Sequence, residues 1–114
     1  MPMQYLEIVS ADVEAVVALY ERLLGLVFAS PDPDLGQARV AEQPDGSLIG
    51  VRAPLADFEG PIERVYLAVD DIEAAVAAAQ AAGATLAYGP EQQGERGRFA
   101  IYFLGGAQHG LWQP

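Results

Sequence analysis

The side chains able to do chemistry in this 114-residue chain are few in kind: sixteen carboxylates, six arginines and one histidine, with neither lysine nor cysteine. Without a thiol there is no disulfide, no thiolate nucleophile and no cysteine zinc site. Without lysine there is no Schiff base and no phosphate-loop lysine. A Gly-x-Ser-x-Gly nucleophile elbow is also missing. One histidine cannot complete a two-histidine, one-carboxylate metal site within a chain. Composition alone leaves open an all-carboxylate site for magnesium or calcium. The inventory leaves room for a carboxylate working opposite a guanidinium. The carboxylate would serve as general base, and the arginine would clamp an anion or stabilise a developing oxyanion.

Such groups must be held by regular elements, and the chain writes one pair of elements twice. Residues 5–18, from Tyr5 to Ala18, line up with residues 64–77, from Arg64 to Ala77, 59 positions later. Asp12/Asp71, Glu14/Glu73, Ala15/Ala74, Val17/Val76 and Ala18/Ala77 are identical. A duplicated half-chain predicts two similar modules. In the first, residues 4–10 form a strand with Leu6 and Ile8 on one side and Tyr5, Glu7 and Val9 on the other. A helix follows, capped by Asp12, with a buried stripe of Val13, Val16, Val17, Tyr20 and Leu24, and stops at Gly25. Residues 26–30 read as a strand and 31–36 as a loop. A hairpin, 37–42 and 48–53, turns at Pro44-Asp45-Gly46.

Residues 55–61 form the linker, and the order then repeats. Residues 62–69 are a strand, 71–82 a helix ended by Gly83, and 84–88 a strand. Residues 89–97 are a polar loop, and 98–104 with 109–113 close a hairpin through Gly105-Gly106. The chain is thus one domain with βαβββ modules at 4–54 and 62–113. The second helix faces inward with Ile72, Ala75, Val76 and Ala79. It is nearly all alanine, so it buries little area.

An apolar content of 52% supports a packed core, and a net charge of −10 disfavours nucleic acid and anionic membrane surfaces. No apolar run is long enough to span a bilayer. The start, Met1-Pro2-Met3-Gln4, lacks a basic stretch leading into a hydrophobic one, so a cytoplasmic location is expected. Arginine in place of lysine and abundant alanine suit a GC-rich bacterial genome.

With this order, and with its closing Phe99-Ala100-Ile101-Tyr102-Phe103 and Gly110-Leu111-Trp112-Gln113, the chain resembles the vicinal oxygen chelate superfamily. That group comprises glyoxalases, bleomycin-resistance proteins and extradiol dioxygenases, and the ending is similar to a bacterial glyoxalase-like subgroup. The resemblance covers nearly the whole chain. It implies an α+β fold of two tandem βαβββ modules, whose mixed sheet curls into a cup with helices outside. Metal-dependent members carry a ligand on the first strand of each module, seven residues before the capping Asp, and a glutamate on the last strand. Those positions fall at Tyr5, Arg64, Gly50 and Gly110. Glycine has no ligand, arginine stays protonated and a neutral phenol binds metal poorly, so neither metal nor other cofactor is expected.

In the register of the resemblance, Tyr5, Glu7, Arg52, Arg64, Tyr66 and Trp112 line the cup, with Gly50 and Gly110 as a floor that leaves room. Leu6, Ile8, Val65, Leu67 and Val69 pack under the helices. Arg64 or Arg52 would clamp a carboxylate or phosphate, and Trp112 and the tyrosines would stack on a planar or cationic ligand. Residues 91–98 would be a mobile lid. The plainer alternatives are that Glu7 and Arg64 neutralise each other, that Trp112 is a core aromatic, and that His109 is an exposed residue beside a turn. The first functional reading is a metal-independent protein that binds a small aromatic or charged molecule. The second is a lyase or isomerase on a small carbonyl compound, with Glu7 as base and Arg64 as electrophile. The third is a non-catalytic dimeric partner module, with Leu19 and Leu23 on the outer flank of the first helix. A homodimer is expected in any of the three.

Overall fold

A computed structural model describes residues 3–114. The order is β1 (Met3–Val9), α1 (Val13–Leu24), a 3-10 turn (Pro33–Leu35), β2 (Arg39–Glu42), β3 (Leu48–Arg52), β4 (Ile62–Ala68), α2 (Ile72–Ala81), β5 (Thr85–Gln92), β6 (Arg98–Leu104) and β7 (Ala107–Gln113). The fold is α+β with mixed pairing. The chain divides into two compact units, residues 5–63 and residues 64–114, the latter including residues 3 and 4. No helix among the described residues is long and apolar enough to cross a membrane.

In the first unit β1 runs parallel to β3, and β3 is antiparallel to β2. The Asp12 carboxylate accepts the Ala15 N–H at 3.2 Å, which satisfies one of the orphan donors of the first turn. Gly25 ends α1 at φ 67°, a left-handed conformation that costs glycine nothing. Val17 of α1 packs on Ile8, Ile49 and Val51, with Phe28 and Ala41 completing the cluster. Each such buried aliphatic contributes about 1.5–3 kcal/mol.

The expected strand at 26–30 does not form. Its Ala29 N–H donates to Val40 O, as a strand partner would. The carbonyls of Phe28 and Ala29, however, accept from the Arg39 guanidinium at 3.1 and 2.9 Å. A side chain thus takes the place of a second strand's N–H groups.

The second unit repeats the plan and keeps its third strand, with β4 parallel to β7, β7 antiparallel to β6 and β6 to β5. Asp71 accepts the Ala74 N–H at 3.1 Å, the counterpart of the first cap. Ile72 and Val76 pack on Ala100 and Leu111. Because α2 covers β6 and β7, Val65 on β4 stays 42% exposed, where the sequence places it beneath a helix. The duplication also extends to an ion pair: Glu14–Arg39 in one unit and Glu73–Arg98 in the other. Both pairs are exposed enough to be worth at most about 1 kcal/mol each.

The β2–β3 turn yields one prediction. Asp45 Oδ1 accepts from the Ser47 hydroxyl at 2.6 Å and from the Ser47 N–H at 2.9 Å. The hydroxyl first, and then the N–H, hold the Asp45 carboxyl below its ordinary value. A lowered carboxyl contributes stability above the unfolded value of about 3.9, and that contribution fades as pH falls through the folded value. Asp45→Ala should therefore melt below the parent at pH 7, and the gap should close in acid. A gap unchanged between pH 7 and pH 2 in thermal melts would show that the carboxylate is not responsible.

Candidate functional site

Alternation along the strands places the six nominated side chains, three in each unit. In the first unit these are Tyr5 and Glu7 on β1 and Arg52 at the end of β3, with 2%, 7% and 6% exposure. Glu7 lies opposite Gly50, and Val9 opposite Arg52. Arg52 Nε donates to Glu7 Oε2 at 2.9 Å. Its two terminal nitrogens donate to Glu59 Oε1 and Oε2 at 2.8 and 2.7 Å, the bidentate geometry a guanidinium suits best. Glu59 Oε1 also accepts the Leu55 N–H at 2.7 Å, so the same carboxylate anchors the segment between β3 and β4. The hydrogen bonds to Glu59, and then the charge of Glu7, hold Arg52 above its ordinary value against the opposing effect of burial.

In the second unit the nominated residues are Arg64 and Tyr66 on β4 and Trp112 on β7, with 7%, 2% and 3% exposure. Arg64 Nε and Nη2 both donate to Gln108 Oε1, at 3.0 and 2.6 Å. Its Nη1 donates to the Tyr66 hydroxyl at 3.3 Å. Tyr66 stands edge-on to Trp112 and Phe99, with centroids 5.6 and 6.1 Å away. Phe99 stacks in turn on Tyr88 at 5.3 Å, and Tyr88 is half exposed. The aromatic set therefore runs from a buried tyrosine to the surface, with a guanidinium at its inner end.

The glycines do not leave room. A Cβ at Gly50 would lie 2.7 Å from Cε1 and Cζ of Tyr5. A Cβ at Gly110 would lie 2.6 Å from Cγ of Tyr66. In each unit a tyrosine ring fills the space that the missing side chain vacates. Pairing explains the second case, since Tyr66 lies directly opposite Gly110 on adjacent strands.

The expected lid over residues 91–98 is also corrected. β5 continues through Gln92, and the rest is a tight turn closed by Gln93 N–H to Gly97 O at 2.8 Å. Trp112 Nε1 donates to Arg96 O at 2.8 Å and pins that turn. His109 lies stacked on Tyr102 with centroids 5.0 Å apart, and its Nε2 is 3.2 Å from Leu104 O.

Two participants escaped the sequence reading. Gln108 was legible: residues 108, 110 and 112 alternate onto one face of β7. Glu59 was not, because it lies in an irregular segment without periodicity.

The positions that the resemblance would assign to metal ligands hold Tyr5, Gly50, Arg64 and Gly110, and this donor set does not suit a divalent ion. Among the described residues, no group of three or more His, Cys, Asp or Glu side chains is arranged to hold one.

Residues 6–102 match a family model described as a glyoxalase-like domain. No curated protein sequence matches the chain significantly. Among solved structures, methylmalonyl-CoA epimerase from Mycobacterium tuberculosis is 22% identical, with a TM-score of 0.75 over 98% of this chain and 87% of its own. A hypothetical protein from Bacillus halodurans is 16% identical, with a TM-score of 0.76 over 99% of this chain and 94% of its own. Streptomyces coelicolor methylmalonyl-CoA epimerase in complex with 2-nitronate-propionyl-CoA is 16% identical, with a TM-score of 0.67 over 97% of this chain and 95% of its own. These likenesses establish a shared fold.

Proposed function

Because the chain belongs to the glyoxalase-like domain family of the vicinal oxygen chelate superfamily, we propose that it is a metal-independent member that binds a small carboxylate-bearing molecule with an aromatic or apolar body. The observation that carries this reading is the Arg64–Gln108 contact. One neutral amide oxygen accepts from two N–H groups of a guanidinium that is only 7% exposed. A ligand carboxylate presents the same acceptor to that fork and adds a charge, so it would replace exposed Gln108 with a gain. Tyr66, Trp112 and Phe99 supply the apolar surface beside it. The tyrosine rings seated over Gly50 and Gly110 support independence from metal. Two fold neighbours bear on the ligand class, as methylmalonyl-CoA epimerases. A cytoplasmic homodimer is part of the proposal, with Leu23 of α1 exposed for pairing.

A lyase or isomerase with Glu7 as base is the weaker reading, because Glu7 Oε2 is already held by Arg52 Nε at 2.9 Å.

The test is a thermal-shift titration with benzoate, phenylacetate and their amides, on protein whose metal content is measured. Ligand at ten times its Kd stabilises by about 1.4 kcal/mol, enough for a shift of several degrees. The carboxylates should raise the melting temperature, the amides should not, and Arg64→Met should abolish the effect. One equivalent of a transition metal per chain, or stabilisation that survives Arg64→Met, would overturn the proposal.

A further inference from the structure

A hollow of about 480 Å3 opens in the first unit, and none of Tyr5, Glu7 or Arg52 lines it. The end of β1 lies on one side, Leu19 and Tyr20 of α1 on a second, and Ile62 and Glu63 at the start of β4 on a third. Its volume falls within the range of about 300–1,000 Å3 in which small ligands bind. The lining is mainly apolar, and Leu19 is 52% exposed there, an apolar side chain that a ligand body would cover.

The polar side chains of the lining are Ser10, Tyr20 and Glu63, and only Glu63 carries a charge. Tyr20 and Glu63 both line the hollow, close enough for the carboxylate's charge to act on the phenol, so a carboxylate stands beside an aromatic ring at the edge of an apolar surface. Burial, with the charge of Glu63, raises Tyr20 above its ordinary value, so the phenol keeps its proton and remains a donor. A carboxylate at an apolar wall is complementary to a cation that carries a hydrocarbon body, and the Tyr20 ring adds a face that favours cations. The chain's net charge of −10 attracts such a molecule and repels an anion.

We infer that this hollow is a separate binding site for a small organic cation with an apolar body, of the arylalkylamine or quaternary ammonium class. Its charge pairs with Glu63, and its body covers Leu19 and the end of β1. The site takes the opposite charge from Arg64 and shares no residue with that array, so it stands apart from the function proposed above.

The test is an amide chemical-shift titration of the full chain with 2-phenylethylammonium, 2-phenylethanol and phenylacetate. The amine should move the amides of Ser10, Leu19 and Glu63 saturably. The alcohol should bind at least tenfold more weakly, and phenylacetate should leave these amides in place. Glu63→Gln, at an exposed position that leaves the core intact, should reduce amine binding to the level of the alcohol. The inference fails if the amine leaves these amides unmoved, if Glu63→Gln does not change its affinity, or if the alcohol or phenylacetate moves the same amides at concentrations as low. It also fails if the amides respond to protein concentration alone, which would give the hollow to a second copy.

Discussion

Arg52→Ala is expected to destabilise the protein by about 3–5 kcal/mol, the range for breaking a buried ion pair from one side. Arg52 is 6% exposed and Glu7 is 7% exposed, so water cannot readily replace the lost guanidinium. Three charge-assisted contacts disappear together: Nε to Glu7 and the two terminal nitrogens to Glu59. Because hydrogen bonds to Glu59 and the charge of Glu7 raise Arg52, its contribution is fully present below the ordinary arginine value and persists across the usual pH range. Arg52→Lys should recover only part of the loss, since an ammonium cannot span two carboxylates with a planar fork. Glu59 also anchors Leu55, so the 53–61 segment should lose protection in hydrogen exchange. Urea unfolding measures the total. A cost below about 1 kcal/mol, or an equal one for Arg52→Lys, would mean that the array is solvated and replaceable.

Gly110→Ala should cost about 3 kcal/mol, the upper end of the usual overpacking range, although it adds one methyl group. That methyl would lie 2.6 Å from Cγ and 2.8 Å from Cε2 of Tyr66, closer than real Cβ contacts come. The ring cannot swing away, because Phe99 and Trp112 pack edge-on against it and it is 2% exposed. Gly50→Ala meets the Tyr5 ring in the same way, at 2.7 Å from Cε1 and Cζ. Gly60→Ala provides the control: nothing lies within 4 Å of its added Cβ, and it should be nearly neutral. Combined with Tyr66→Ala, Gly110→Ala should cost much less than the sum of the two changes, the mark of direct coupling. Additive costs would show that ring and glycine are energetically independent.

Both expectations bear on function. In the register of the resemblance, Gly50 and Gly110 fall where metal-dependent members would carry ligands, and a side chain restored at either glycine first meets a tyrosine ring. Removing that ring and adding a ligand are coupled changes.

Local rules were legible from the chain alone. Asp12 and Asp71 cap helices because a short carboxylate three residues ahead of an orphan N–H needs no distant partner. The same 59-residue spacing that pairs them also pairs Glu14–Arg39 with Glu73–Arg98, so the duplicated ion pair was within reach of the sequence. Period-two alternation put Tyr5 with Glu7, and Arg64 with Tyr66, on shared strand faces. Where a distant side chain competes for backbone groups, local rules fail: Arg39 captures the carbonyls of Phe28 and Ala29, and a well-patterned segment remains without a strand.

The repeat predicted two similar modules, and the family resemblance implied the α+β fold and an unusual set of residues at the ligand positions. Neither quantity depends on three-dimensional packing. Only the tertiary structure showed that tyrosine rings fill the spaces over Gly50 and Gly110, that Arg52 binds two carboxylates 45 and 7 residues away, and that Trp112 holds the 93–97 turn. Those outcomes depend on volume and on partners brought together by strand pairing. A linear pattern gives the face on which a side chain stands, but not which neighbour reaches it first.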